Sequence, residues 1–127
     1  MKNSISIITA TYNSQATIAD TLESIHSQEY TNFSHIIIDG LSTDNTIKII
    51  NSFDTNKLSL SIGPDNGIYD AMNKGLKSST GDIIGFLNSD DMYADENSLC
   101  KIAAVFENPS IEACYGDLVY VNQDNSK

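Results

Sequence analysis

Basic residues are scarce in this sequence. Seven of them stand against seventeen acidic residues in 127 positions, a net charge of −10, and such a surface repels nucleic acid and anionic lipid unless its positive charge is gathered in one patch. No patch of that kind is present, so no nucleic-acid partner is expected. Long apolar runs are missing as well. The segment that follows Met1, Lys2, Asn3 and Ser4 is too short and too interrupted for a signal peptide or a spanning helix, and a cytoplasmic protein is expected. Cysteine is limited to Cys100 and Cys114, with no CxxC spacing and no clustered histidines, which speaks against a zinc site or a redox pair and for buried thiols. His26 and His35 read as isolated. No internal repeat, linker or low-complexity stretch divides the chain, so residues 1–127 are read as one domain or part of one. Neither a GxxxxGK[ST] loop nor a GxGxxG run is present, which removes the P-loop and the dinucleotide fingerprint.

What is present is an alternation of strand-length apolar runs with stretches of helical period, the pattern of a parallel sheet covered by crossover helices. The expected fold class is therefore α/β, with helices on both faces of a mostly parallel sheet. Ile5 to Thr9 is the first strand, and the polar residues Thr11 to Ser14 offer caps for a helix carrying Ile18, Leu22 and Ile25. Phe33 to Asp39 is the second strand, followed by a short helix with Ile47 and Ile50, capped by Asp44 or Thr43. Leu58 to Ile62 is a third strand nearer an edge. After the turn signal Gly63 to Gly67, Ile68, Met72 and Leu76 mark the apolar stripe of a third helix. Asp82 to Leu87 is a fourth strand, and Leu99, Ile102, Ala103 and Phe106 share a face of a fourth helix that stops near Asn108-Pro109. A fifth strand is expected within Ile111 to Val121. The sheet then reads as cut short at its C-terminal side, without a closing helix.

In open α/β sheets ligands sit beyond the carboxyl ends of the strands. Those positions hold Thr11-Tyr12-Asn13, Asp39-Gly40, Asp65-Asn66-Gly67 and Asn88-Ser89-Asp90-Asp91. Carboxylates gathered at one rim repel each other, and Mg²⁺ or Mn²⁺ together with a phosphate relieves that repulsion, because hard cations take carboxylate and phosphate oxygens. Asp44, Asp82 and Asp95 are read instead as caps or turn formers.

These segments resemble family 2 glycosyltransferases, the inverting enzymes of the GT-A fold. The likeness is carried by Ile5 to Asn13 (ISIITATYN), Asp39 to Thr46 (DGLSTDNT), Asp65 to Gly75 (DNGIYDAMNKG), Thr80 to Asp82 (TGD) and Phe86 to Asp91 (FLNSDD), in that order and spacing. It implies a Rossmann-like GT-A sheet that binds a UDP- or dTDP-sugar. Ala10, Thr11 and Tyr12 would border the nucleobase, Asp39 would accept from the uracil or thymine imide N–H, and Asp65 and Lys74 would lie near the nucleotide, Lys74 toward a phosphate. The family's DxD motif falls on Asn88-Ser89-Asp90, with Asn88 in place of the usual first Asp, facing the ribose. Asp90 would be the direct metal ligand for Mn²⁺ or Mg²⁺, with Asp91 in support. The run Gly67 to Lys74 is similar to the branch acting in bacterial surface-polysaccharide synthesis, which implies a saccharide or lipid-linked acceptor and peripheral membrane association of a full enzyme.

The resemblance places the catalytic base in a further stretch beyond residue 127, and Asp117 and Asp124 lie too early to serve. The sequence therefore supports two readings: the donor-binding half of a metal-dependent glycosyltransferase, or a non-catalytic nucleotide-sugar-binding module if the natural chain ends near residue 127.

Overall fold

The computed structural model describes residues 3–108. The expected fifth strand, Cys114, Asp117 and Asp124 lie outside them. Four strands form one sheet: β1 (Ile5–Thr11), β2 (Phe33–Asp39), β3 (Leu58–Ile62) and β4 (Ile83–Phe86). Their order is β3-β2-β1-β4, and each neighbouring pair is parallel. The β-branched and aliphatic content of β1 and β2 suits strands buried on both faces, and β3 takes the exposed edge its alternating serines predict. Four helices connect and follow the strands, α1 (Ile18–His26), α2 (Thr46–Asn51), α3 (Ile68–Ser78) and α4 (Ser98–Val105).

Alternation along the strands sends odd-numbered residues of β1 and β2 to one face and even-numbered ones to the other. On the first face, Ile5 and Ile7 pack with Ile25 of α1, Leu87, and Leu99 and Ala103 of α4. Beside them Ile37 packs with Ile18, Leu22 and Ile50, which fixes α1 and α2 on the same side. On the second face Ile8, Ile36 and Ile38 meet Ala71 of α3. Helices thus cover both faces, as the periodicity predicts. Among the described residues no helix is long and apolar enough to cross a membrane.

The buried stripe of α3 is not the expected one. Ala71 and Gly75 face the sheet, whereas Ile68 and Leu76 are 46% and 44% exposed. The cause is a close approach: a Cβ on Gly75 would lie 2.4 Å from Cγ2 of Ile8, so only small residues fit at the contact and the larger ones are carried to its rim. Helix α1 also starts later than its expected caps. Its N-cap is Thr17, without a side-chain cap bond, and the Ser14 carbonyl accepts the N–H groups of Thr17 and Ile18. For α2 the N-cap is Asn45 and not Asp44 or Thr43, and it makes no side-chain cap bond; Asp44, one residue earlier, accepts from the Thr46 N–H at 2.9 Å as a turn former.

The two histidines meet. His35 is fully buried on the α1 face, its Nε2 2.8 Å from Thr9 Oγ1 and its Nδ1 3.2 Å from Nε2 of His26. Burial, followed by the neighbouring His26, lowers the His35 pKa to about 3, so the ring is held neutral. Cys100 is a free, half-buried thiol against the core.

Candidate functional site

Parallel strands end at the same edge of the sheet, so the four loops that follow them converge. A cavity of about 590 Å³ opens there. Ala10, Thr11, Tyr12 and Ser14 line it from the end of β1, Gly40 and Leu41 from the end of β2, and Pro64 and Asp65 from the end of β3. The start of α3 contributes Gly67, Ile68 and Ala71, and the loop after β4 contributes Ser89.

Asp39 organises the first two loops. Its Oδ1 accepts from the Thr11 hydroxyl at 2.7 Å and the Ser42 hydroxyl at 2.6 Å, and its Oδ2 accepts from the Ser42 N–H at 2.8 Å. An ionised carboxylate offers about four acceptor positions, so three of them are taken by the protein. The group is completely buried and stands behind the cavity wall rather than in it. Asn13 ties the same loops together, its N–H donating to Ser42 Oγ at 2.8 Å and its Oδ1 accepting from the Thr43 N–H at 2.8 Å. Asn13 has φ 48° and Leu41 has φ 67°. Asparagine tolerates this left-handed region; leucine adopts it at a cost.

Asp65 lies against the turn after β2: its Oδ2 would be 2.7 Å from a Cβ on Gly40, so a larger residue there would displace the Asp65 carboxylate. Its Oδ1 accepts from the Gly67 N–H at 3.1 Å, closing the turn into α3. Lys74 lies outside the cavity wall. Its ammonium donates to the Pro64 carbonyl and pairs with Asp70 at 3.5 Å, which ties α3 to the Asp65 loop.

The loop after β4 is held by α1. Thr17 Oγ1 donates to the Ser89 carbonyl at 2.8 Å, and Thr21 Oγ1 lies within donating distance of the carbonyls of Ser89, 2.9 Å, and Asp91, 2.7 Å. The Ser14 hydroxyl donates to Ser89 Oγ at 3.0 Å, and the Asp91 N–H closes a turn onto the Asn88 carbonyl at 3.0 Å. Asp90 projects into solvent and Asp91 is half-buried. Burial raises the Asp91 pKa, the charge of Asp90 raises it further, and a hydrogen bond from the Asn88 side chain acts against both.

The structure therefore brings Ala10, Thr11, Tyr12, Asp65 and Ser89 to one cavity and leaves Asp39, Lys74, Asn88, Asp90 and Asp91 outside its wall. Among the described residues no group of three or more His, Cys, Asp or Glu side chains converges as a metal cage. Mg²⁺ and Mn²⁺ do not require one, since they are commonly held by one or two carboxylates with phosphate and water supplying the rest. Asp90 and Asp91 fit that donor set, and the disfavoured charge on Asp91 is what a cation would relieve. The sequence reading missed Ser14, Thr17, Thr21, Leu41 and Ser42. Leu41 and Ser42 lie within the run Asp39 to Thr46, and Thr17 and Thr21 stand four apart at the N-cap and first turn of α1, but nothing in the sequence states what their side chains meet.

A family model for glycosyl transferase family 2 matches residues 6–127. A PGL/p-HBAD biosynthesis glycosyltransferase of Mycobacterium bovis is 36% identical over 118 residues, 90% of this chain and 46% of that protein. The UDP-Glc:alpha-D-GlcNAc-diphosphoundecaprenol beta-1,3-glucosyltransferase WfgD of Escherichia coli is 30% identical over 122 residues, 95% of this chain and 48% of that protein. The chain thus spans about half the length of these relatives. Among solved structures, S. aureus TarS 1-349 with UDP-GlcNAc superposes with a TM-score of 0.76 at 30% identity, covering 82% of this chain and 31% of that 1-349 chain. The mannosyltransferase PcManGT of Pyrobaculum calidifontis, solved with GDP-Man and Mn²⁺, gives a TM-score of 0.80 over 87% of this chain and 34% of its own; at 22% identity that likeness is one of fold.

Proposed function

The chain belongs to glycosyl transferase family 2, and on that premise we propose that its cavity binds the nucleotide of a UDP- or dTDP-sugar whose sugar the whole protein transfers, with inversion, to an acceptor hydroxyl. One observation carries the reading: a cavity of about 590 Å³ at the carboxyl ends of four parallel strands, whose β4 side is lined by Ser89, the residue before Asp90 and Asp91. In this reading Ala10, Thr11 and Tyr12 border the base, and Asp65 and Ser89 face the ribose and the diphosphate approach. Asp39 works through Thr11 and Ser42, holding both where the nucleoside meets the wall; a direct bond to a base imide would have to use the one acceptor position left on Oδ2. Lys74 keeps the Asp65 loop in place, which differs from a direct phosphate contact.

Mg²⁺ or Mn²⁺ held by Asp90 and Asp91 would neutralise the departing diphosphate. A −10 protein otherwise repels such a ligand. The hydroxyl-deprotonating carboxylate is not assigned to a described residue. The acceptor is read as a cell-surface saccharide or lipid-linked glycan, in keeping with the diphosphoundecaprenol in WfgD's name, and such an acceptor would bring the cytoplasmic enzyme to a membrane surface. Calorimetry of UDP, dTDP and GDP with and without Mn²⁺ tests the proposal. UDP or dTDP binding that tightens with Mn²⁺ is expected; tighter binding of GDP, or no binding of any of the three, overturns it.

A further inference from the structure

Leu41 combines features that the fold alone does not explain. Its φ of 67° lies in the left-handed region, where a β-carbon meets the backbone and glycine is the favoured residue. Both flanks are pinned there: the Gly40 N–H donates to the Thr11 carbonyl at 3.0 Å, and the Ser42 N–H donates to Asp39 at 2.8 Å. Packing does not offset the strain. Leu41 is 50% exposed and belongs to none of the buried clusters. Its side chain instead lines the cavity, which it shares with the 64% exposed Tyr12 and with Ile68. Strained non-glycine residues of this kind concentrate at ligand clamps, where the geometry serves the ligand rather than the core.

We infer that Leu41 is a further binding residue of the donor site, an apolar lip that covers the nucleoside end of the nucleotide in the cavity it shares with Tyr12. The inference rests on the nucleotide-binding reading above. Leu41 stands at the end of β2, whereas Asp90 follows β4, two strands away in the order β3-β2-β1-β4. Its contact is therefore with base and ribose, not with the diphosphate or a metal. An aliphatic side chain offers no hydrogen bond, so it adds affinity by covering a flat face and does not read the base edge.

Two substitutions separate contact from backbone. Leu41→Gly removes the side chain and relieves the left-handed strain; Leu41→Ala removes the side chain and keeps the strain. In the purified protein, Gly is expected to raise the unfolding temperature relative to Ala. Both are expected to weaken UDP and uridine by the same factor, about five-fold for an aliphatic side chain that is half covered on binding. The increment in UDP affinity produced by Mn²⁺ should be unchanged, and Leu41→Met should restore most of the loss. Equal uridine affinity in wild type and both variants would overturn the inference, as would a loss confined to Gly, which would indicate loop stiffness, or a loss confined to the Mn²⁺ increment. A wild-type protein that binds neither UDP nor uridine overturns the functional reading itself, and this inference with it.

Discussion

Replacing Asp39 by alanine separates a positioning carboxylate from one that touches ligand. The side chain is fully buried and accepts from the Thr11 hydroxyl, the Ser42 hydroxyl and the Ser42 N–H. Hydrogen bonds to a charged group contribute about 1.5–3 kcal/mol each, and a buried donor left unpaired costs about 1–3 kcal/mol. These terms do not simply add, because the two hydroxyls can rotate toward other acceptors while the Ser42 N–H cannot. The expected loss for Asp39→Ala is therefore about 3 kcal/mol of folding stability, with weaker UDP binding as a consequence of the displaced loop. Asp39→Asn keeps one acceptor for the Ser42 N–H and offers an amide donor to the hydroxyls, so about 1 kcal/mol is expected. Urea denaturation followed by circular dichroism gives the stabilities, and calorimetry gives UDP affinity in the same samples. Asp39→Ala with nearly wild-type stability but no UDP binding would refute the positioning account and favour a direct contact with the base.

Gly75→Ala places a methyl 2.4 Å from Ile8 Cγ2; despite alanine's better helix propensity it should destabilise by about 1–2 kcal/mol in urea, and Ile8→Ala in the same chain should cost less than the two changes summed. Because the folded-state pKa of His35 falls from 6.5 to about 3, the unfolded chain binds more protons in between, so stability is full above pH 6.5 and is lost as pH falls toward 3, with a slope approaching about 1.4 kcal/mol per pH unit. Denaturation at pH 7, 6 and 5 reads this slope before most carboxylates titrate, and His35→Gln should flatten it. Thr21→Val keeps the shape of a buried residue but removes the donor to the Ser89 and Asp91 carbonyls; it should weaken Mn²⁺-dependent UDP binding several-fold, and unchanged binding would show that the β4 loop does not depend on α1.

The elements legible from sequence are those whose signal is local. Strand β2 runs from Phe33 to Asp39 as expected from Phe33 and the run Ile36 to Ile38, and α4 packs Leu99 and Ala103 as its period predicts. Strand β1 extends two residues further than its apolar run, because Ala10 and Thr11 remain in register with Ile38 and Asp39, and pairing is a property of the partner strand. The stripe of α3 was misread for a related reason: periodicity ranks residues by hydrophobicity, whereas the distance to Ile8 admits only the smallest. In the site, Thr11, Tyr12, Asp65 and Ser89 lie where strand ends place them. Asp39 and Lys74 point elsewhere because Ser42 and Pro64, their partners, are chosen by how loops pack. His26 and His35 looked isolated since nothing in the sequence states that α1 covers the odd-numbered face of β2.

We propose that a cation at Asp90 and Asp91 joins this acidic protein to a nucleotide diphosphate. The direct measurement is UDP affinity with and without Mn²⁺ in wild type, Asp90→Asn and Asp91→Asn. Each substitution keeps the side-chain shape and removes one charge. Asp90, the more exposed carboxylate, should carry most of the metal effect, so the Mn²⁺ increment should vanish in Asp90→Asn and shrink in Asp91→Asn, while metal-free affinity stays the same or rises slightly. A Mn²⁺ increment of wild-type size in both variants would contradict the account.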